Sequence, residues 1–292
     1  MPQAHKDGGA APHTPLFLFD IDGTLLRGMP PAHRNALCAA VNAIYGVALT
    51  ADDMGQTAGM TDTAIVRRAL LRAGLSDAVI ARGLPACFAI AAEKYTELVP
   101  DDLRPYHTPH AAATLGWLRE RGAALGLVTG NVARIAAVKL AAAGLANFFP
   151  TAPDEAVLHA RDTLGMIGMA HGDDIPDHAA LPTLHGDSPR REAAPTTPTH
   201  RMLYGAYGDE AEPREALPPL ALARTPFVFG SSFASNQVYV IGDTPADIAC
   251  GAAHGLRTVG VATGLHALAE LHACQPDYTL TDLSELRHLV WQ

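Results

Sequence analysis

The stretch Leu16–Gly28 reads LFLFDIDGTLLRG, and the rest of the chain is interpreted outward from it. Leu16, Phe17, Leu18 and Phe19 form an unbroken apolar run, as expected of a strand buried on both faces of a parallel sheet. Two carboxylates, Asp20 and Asp22, follow where that strand should end, with Gly23 placed for a turn. Ligands of open α/β sheets sit beyond the carboxyl ends of the strands. A polar turn after a strand explains Asp-x-Asp-Gly alone equally well, so the remaining strand ends must decide.

Two further strands end in the same manner. Ala124–Val128 runs into Thr129-Gly130-Asn131 and then a helix, Val132–Ala143, closed by Gly144. Val238–Ile241 runs into Gly242-Asp243-Thr244-Pro245-Ala246-Asp247 and another helix. Thr258–Val261 and a short run near Tyr278–Leu280 add strands, and Ser284–Trp291 reads as a last helix. Strands alternating with helices predict an α/β fold, a parallel sheet with helices on both faces.

Between the first and second strands the pattern changes. Helical spacing runs through HRNALCAAVNAIYGV, TDTAIVRRALLRAGL and ACFAIAAEKYTELV, with no strand-like run. The predicted organisation is a loose tail over 1–14, an α/β core from 15–26 and 105–292, and an inserted all-α domain over 27–104. Residues 151–203 contain six prolines, five histidines and no aromatic residue, which predicts a flexible insertion, within which AVLHARDTLGMIGMA can form a short helix. HGDDIPDH within it has no defensible metal-ligand spacing and reads as a solvated loop.

Composition bounds the function. In 292 residues, 21 Lys and Arg stand against 30 Asp and Glu, a net charge of −9. That argues against a nucleic-acid or anionic-membrane binder, both of which need a basic surface. No run approaches transmembrane length, and the polar N-terminus MPQAHKDGGAAPHTP lacks the apolar centre of a signal peptide. Cys38, Cys87, Cys250 and Cys274 form no Cys-x-x-Cys and read as buried free thiols. The expected compartment is the cytoplasm.

The three polar strand ends suit phosphoryl transfer. Hard oxygen ligands can hold Mg²⁺. A carboxylate can attack phosphorus, and a second one two residues on can protonate the leaving oxygen and later activate water. Thr129 and the turn N–H groups at Gly130 and Asn131 can bind phosphate oxygens.

As a set, DIDGTLL, VTGN and VIGDTPADIACGAAHGL resemble three of the motifs of the haloacid dehalogenase superfamily of hydrolases. Its phosphoglycolate-phosphatase-like members also carry a helical cap after the first motif. The resemblance implies a Rossmann-like core with an all-α cap, Asp20 as nucleophile, Asp22 as acid and base, and Thr129 on the phosphate. It implies Mg²⁺ held by the Asp20 carboxylate, the Asp22 backbone carbonyl and Asp243, with Asp247 in support. The implied activity is hydrolysis of a small phosphorylated metabolite by a monomer or homodimer. A phosphosugar mutase would use the same core. A catalytically weakened binding protein is a third reading.

The sequence departs from the family at one point. The family places a lysine ahead of the strand that ends at Asp243, and this chain has no lysine after Lys139. Lys139 itself reads as a surface residue of the helix after Thr129. Arg214 occupies the missing position in YGDEAEPREALPPLALAR, with Arg224 as the weaker substitute; arginine keeps the charge and binds phosphate bidentately. In the helical insertion, GQTAGMTDTAI can close over a substrate or simply start a helix, with Thr61 or Asp62 as cap. Arg27, Arg67 and Arg68 are candidates for substrate charge. A phosphonate hydrolase would want a lysine in the cap, where only Lys94 is found.

Overall fold

The computed structural model describes residues 14–168 and 202–289. Six strands form one sheet in the order β3-β2-β1-β4-β5-β6, all parallel. They are β1 (Leu16–Phe19), β2 (Ala124–Thr129), β3 (Gly205–Tyr207), β4 (Val238–Gly242), β5 (Arg257–Val261) and β6 (Tyr278–Leu280). The apolar run of β1 is central, and none of its four residues is exposed to solvent. Strand order reverses on either side of β1, which puts a switch point at its carboxyl end. Phe19 pairs with both Leu127 and Ile241. Asp20 is therefore level with Val128 and Gly242, and Thr129 and Asp243 lie one step beyond it.

Helices cover both faces. One face packs α4 (Ala111–Glu120), α5 (Ala133–Ala142) and a 3-10 turn over Leu283–His288 through Leu115, Leu118, Leu140 and Leu286. The other packs α6 (Asp154–Gly168), α7 (Leu217–Ala223), α8 (Thr225–Phe229) and α9 (Pro245–Ala252) through Ala160, Leu217, Leu220 and Cys250, with Phe229 of α8 partly buried against them. A tenth helix, α10 (Leu268–Ala273), precedes β6. No helix among the described residues is long and apolar enough to cross a membrane.

Between β1 and β2 lie α1 (Ala32–Tyr45), α2 (Asp62–Arg72) and α3 (Asp77–Leu98). They share an apolar cluster of their own, centred on Val41, Val66, Ile80 and Phe88, which also takes in Val132 and Ile135 at the start of α5. Gly46 ends α1 in the left-handed conformation at φ 65°, which glycine adopts at least cost.

Four expectations need correction. Residues 154–168 are a helix that packs on the sheet, with Ala156 and Ala160 fully buried, and Thr151 bridges to Leu203. Small residues spaced four apart let α6 sit closely, so the short helix offered at AVLHARDTLGMIGMA is present and this part of the insertion is packed rather than flexible. HGDDIPDH and the tail over 1–13 lie outside the described residues. Strand β3 has no counterpart in the sequence reading: Gly205, Ala206 and Tyr207 are buried and pair with β2 alone at the sheet edge, but three residues are too few to show a strand pattern. The last helix is a 3-10 turn over Leu283–His288. Cys38, Cys87 and Cys250 are buried free thiols, but Cys274 is exposed.

Candidate active site

The carboxyl ends of β1, β2 and β4 bring the three polar strand ends together. Asp20 is buried at the end of β1, and its N–H still donates to Ile241 O at 2.9 Å, so the sheet ladder fixes its backbone. Asp243 and Asp247 approach from β4 and α9. Single carboxylate oxygens of Asp20, Asp243 and Asp247 all lie within 4.8 Å of one another. Thr244 caps α9 by accepting from Asp247 N, while Asp247 Oδ2 accepts from Thr244 N at 3.0 Å and Oγ1 at 2.6 Å. This reciprocal cap aims the other Asp247 oxygen at the cluster.

Arg214 supplies the cation. It sits on a 3-10 turn just before α7, is 6% exposed, and places Nη2 2.9 Å from Asp20 Oδ1 and against Asp247 Oδ1. The sequence-predicted stand-in for the missing lysine thus reaches the candidate nucleophile. Arg224 does not: it is fully buried against Glu210 and Gly205 O, where it ties α8 to β3.

Burial pushes the Asp20 carboxyl up to about 6; Arg214 opposes this, and the neighbouring Asp247 and Asp22 charges add to it. Asp243 is pushed higher, to about 8, by burial and by the charges of Asp20 and Asp247. Asp243 receives the Thr24 hydroxyl at 3.2 Å and no cationic side chain among the described residues. A hard, oxygen-only donor set short of positive charge fits Mg²⁺. Glycines make room for the cluster: a Cβ on Gly264 would lie 1.7 Å from Asp243 Oδ2, and one on Gly23, at φ +91°, 2.2 Å away. Thr24, Gly264 and Thr263, whose hydroxyl donates to Gly23 O at 2.7 Å, were not singled out from the sequence.

Asp22 points to the other side of the site, with its side chain 40% exposed. Here the surface reading of Lys139 is corrected. Lys139 is 1% exposed and donates to both Asp22 oxygens, at 2.8 and 2.6 Å. Burial raises the Asp22 pKa, but the Lys139 ammonium, with its hydrogen bonds and that of Asn131, outweighs it and holds the carboxyl below its ordinary value. Asn131 Nδ2 donates to Asp22 Oδ2 and to Thr129 Oγ1, each at 2.8 Å. Thr129 is fully buried.

The cap loop closes over this floor. Asp62 N donates to Gly130 O at 2.7 Å, Thr63 Oγ1 to Gly208 O at 2.6 Å, and Thr61 Oγ1 to Glu212 O at 2.6 Å. Thr61 also caps α2, so GQTAGMTDTAI both starts a helix and covers the site. A Cβ on Gly130 would lie 2.1 Å from Met60 O, so the approach depends on that glycine. Arg68 is spent holding the loop through Met54 O and Gln56 O, and Arg67 pairs with Glu212 and Asp77. Lys94 pairs with Glu97 on the cap surface. Between floor and cap lies a cavity of ≈ 500 Å³ lined by Asp20, Asp22, Lys139, Arg214 and Asp243 below and by Arg34, Met54, Met60 and Tyr95 above. Arg27 is exposed at its rim.

Comparison with known proteins places the chain in a family and agrees with its fold. A family model described as haloacid dehalogenase-like hydrolase matches residues 14–173, and a second, HAD-hydrolase-like, matches 212–286. A search of curated proteins finds no match. Among solved structures, a hydrolase from Pseudomonas syringae aligns at 16% identity over 94% of this chain and 98% of its own, with a TM-score of 0.53. A predicted phosphatase from Clostridium acetobutylicum aligns at 14% identity over 96% of this chain and 99% of its own, with a TM-score of 0.54. A candidate β-phosphoglucomutase from Bacteroides vulgatus aligns at 16% identity over 96% and 91%, with a TM-score of 0.51. At these identities the likeness is one of fold.

Proposed function

The chain belongs to the haloacid dehalogenase-like hydrolases, and from that premise we propose that it is a Mg²⁺-dependent phosphatase acting on a small phosphorylated metabolite. The observation that carries the reading is Arg214 bonded to Asp20 at 2.9 Å beside the Asp243–Asp247 pair. It gives the candidate nucleophile the cation that the sequence lacks at the usual place. The weakened binding-protein reading rested on that lack.

In this mechanism the substrate phosphate occupies the cavity floor between Asp20, Gly130, Asn131 and Arg214, with the buried Thr129 beneath. An Asp20 carboxylate oxygen attacks phosphorus in line, and the ester P–O bond breaks. Asp22, a carboxylate beside Lys139 in the free site, takes up a proton as the phosphate anion comes to lie near it, then gives that proton to the departing oxygen, and the alcohol leaves. Asp22, now a carboxylate, takes a proton from water as the water oxygen attacks the aspartyl-phosphate. The Asp20 O–P bond then breaks, which frees phosphate and restores Asp20. Asp20, Asp243 and the Asp22 carbonyl, with Asp247 behind them, would hold Mg²⁺, which would supply charge to offset repulsion between Asp20 and the phosphate dianion. Arg214 neutralises the same region from the sheet side and binds equatorial oxygens as their charge develops.

Phosphate release from a panel of phosphorylated metabolites, with Mg²⁺ and with excess chelator, tests the reading. Release that needs Mg²⁺ and is lost in Asp20→Asn is expected. Undiminished release in chelator would contradict the mechanism.

A further inference from the structure

Lys139 is a buried cation that the chemistry above leaves without a task. Its ammonium has three N–H donors, and it meets three acceptors: Asp22, Asn131 Oδ1 at 2.6 Å and His33 Nδ1 at 3.1 Å. Each acceptor is constrained in turn. Because Asn131 Oδ1 faces the ammonium, its Nδ2 must face Asp22 and Thr129, so the lysine decides which way the amide points. His33 Nε2 lies 2.9 Å from Asp62 Oδ2, which also accepts from Val132 N at 2.8 Å. A carboxylate only accepts, so Nε2 carries the ring proton and Nδ1 is left as the acceptor for the lysine. His33 and Asp62 belong to the helical insertion, while Lys139 and Asn131 belong to the sheet domain.

The arrangement has a direction. Asp22 reaches the cavity with its side chain 40% exposed, and Lys139, 1% exposed, stands behind it. An ammonium is costly to bury unless its bonds are met, and here they are met by Asp22, Asn131 and His33, with Asn131 itself bonded to Asp22. The ring of Tyr95, 5.9 Å from Nζ and 2% exposed, closes the apolar side.

We propose, on the basis of the phosphatase reading, that Lys139 is a positioning residue that holds Asp22 and Asn131 on the leaving-group side of the phosphate, with cap residues His33 and Asp62 completing its cage. Asp22 then meets the leaving oxygen in a fixed orientation only when the cap is seated. Without the lysine, Asp22 keeps the single Asn131 bond, and the Asn131 amide loses the contact that sets its direction.

The test compares kcat/KM for two esters, p-nitrophenyl phosphate and phenyl phosphate, in the parent, Lys139→Met, His33→Ala and Asp22→Asn, all with Mg²⁺. p-Nitrophenolate departs as a stable anion, whereas the more basic phenolate depends on the proton that Asp22 delivers. General acid–base catalysis is worth about 10²–10⁴-fold, so Lys139→Met should lose about tenfold or more on phenyl phosphate beyond its loss on p-nitrophenyl phosphate. A residue that merely stabilised the fold, or bound phosphate, would lower both esters by one factor. Should Lys139→Met not fold, His33→Ala removes the third acceptor together with the Asp62 contact, from a partly exposed ring, and should show the same split at smaller size. Equal losses on both esters in each folded variant would overturn the inference while leaving the phosphatase reading in place. A parent inactive on both esters, or an Asp22→Asn variant with no split, would instead count against that reading.

Discussion

Replacing Arg214 with alanine tests the substitution on which the site depends. The guanidinium is 6% exposed and is shared by Asp20 and Asp247. Its removal leaves two buried carboxylates beside a third, Asp243, with no cation among them. Removing one partner of a buried pair costs about 3–5 kcal/mol. Asp20, already pushed to about 6, relieves part of this by taking up a proton, so the lower end, about 3 kcal/mol, is expected near neutral pH. Saturating Mg²⁺ restores positive charge to the same carboxylates, so the loss should shrink when the metal is added. For catalysis, a charge-assisted hydrogen bond to phosphate is worth about 1.5–3 kcal/mol, or about ten- to 150-fold in kcat/KM. Arg214→Lys should recover part of both, since lysine keeps the charge but not the two-pronged geometry. The assay is kcat/KM on p-nitrophenyl phosphate, with thermal melts in chelator and in Mg²⁺, for the parent and both variants. Arg214→Ala matching the parent within twofold, with an unchanged melting temperature in chelator, would refute the assignment.

The same charge cluster makes metal-free stability depend on pH. Asp243 and Asp20 hold protons in the fold to about 8 and about 6, which the unfolded chain has already lost. The folded form therefore binds more protons, and stability in chelator should fall from pH 5 to pH 8, by up to about 1.4 kcal/mol per pH unit for each such group. Mg²⁺ should flatten the profile, and melts in chelator that rise over this range would contradict it. Arg224→Ala should lower stability by about 3–5 kcal/mol through the stranded Glu210, while kcat/KM of the folded protein stays near the parent's. A large kinetic loss with an unchanged melt would show that Arg224 serves the chemistry. Gly130→Ala, whose Cβ would press on Met60 O, should displace the cap loop and lower kcat/KM by up to about a hundredfold. Parent-like kinetics in Gly130→Ala would mean that the loop need not close as seen.

The strand ends were legible because the information is local. An apolar run followed by Asp20, Thr129 or Asp243 states both the strand and its polar end, and parallel pairing brings the three together. Arg214 was legible from the empty lysine position. Lys139 was not, yet a signal existed: Ile135, Ala136, Lys139 and Leu140 share the buried face of α5, so the lysine lies on the inward stripe. Its charge masked that stripe. Arg224 follows Leu217, Leu220 and Ala221 on the inward face of the same helical stretch. What a buried cation pairs with is set by tertiary contacts, here Glu210 and Asp22, which no local pattern encodes. His33 and Asp62 were invisible as site residues for the same reason, since they meet Lys139 only once the cap is docked.

The central claim, that Asp20 carries the phosphoryl group, is tested most directly by trapping it. p-Nitrophenyl phosphate needs little help from an acid to phosphorylate the enzyme, while breakdown needs the base. In Asp22→Asn the phosphoenzyme should therefore accumulate with Mg²⁺. Rapid acid quench followed by peptide mapping locates the group. The account predicts a burst of nitrophenolate stoichiometric with enzyme and a phosphorylated peptide modified at Asp20. Slow turnover with no burst and no phosphopeptide, or a phosphoryl group mapped to another residue, would contradict it.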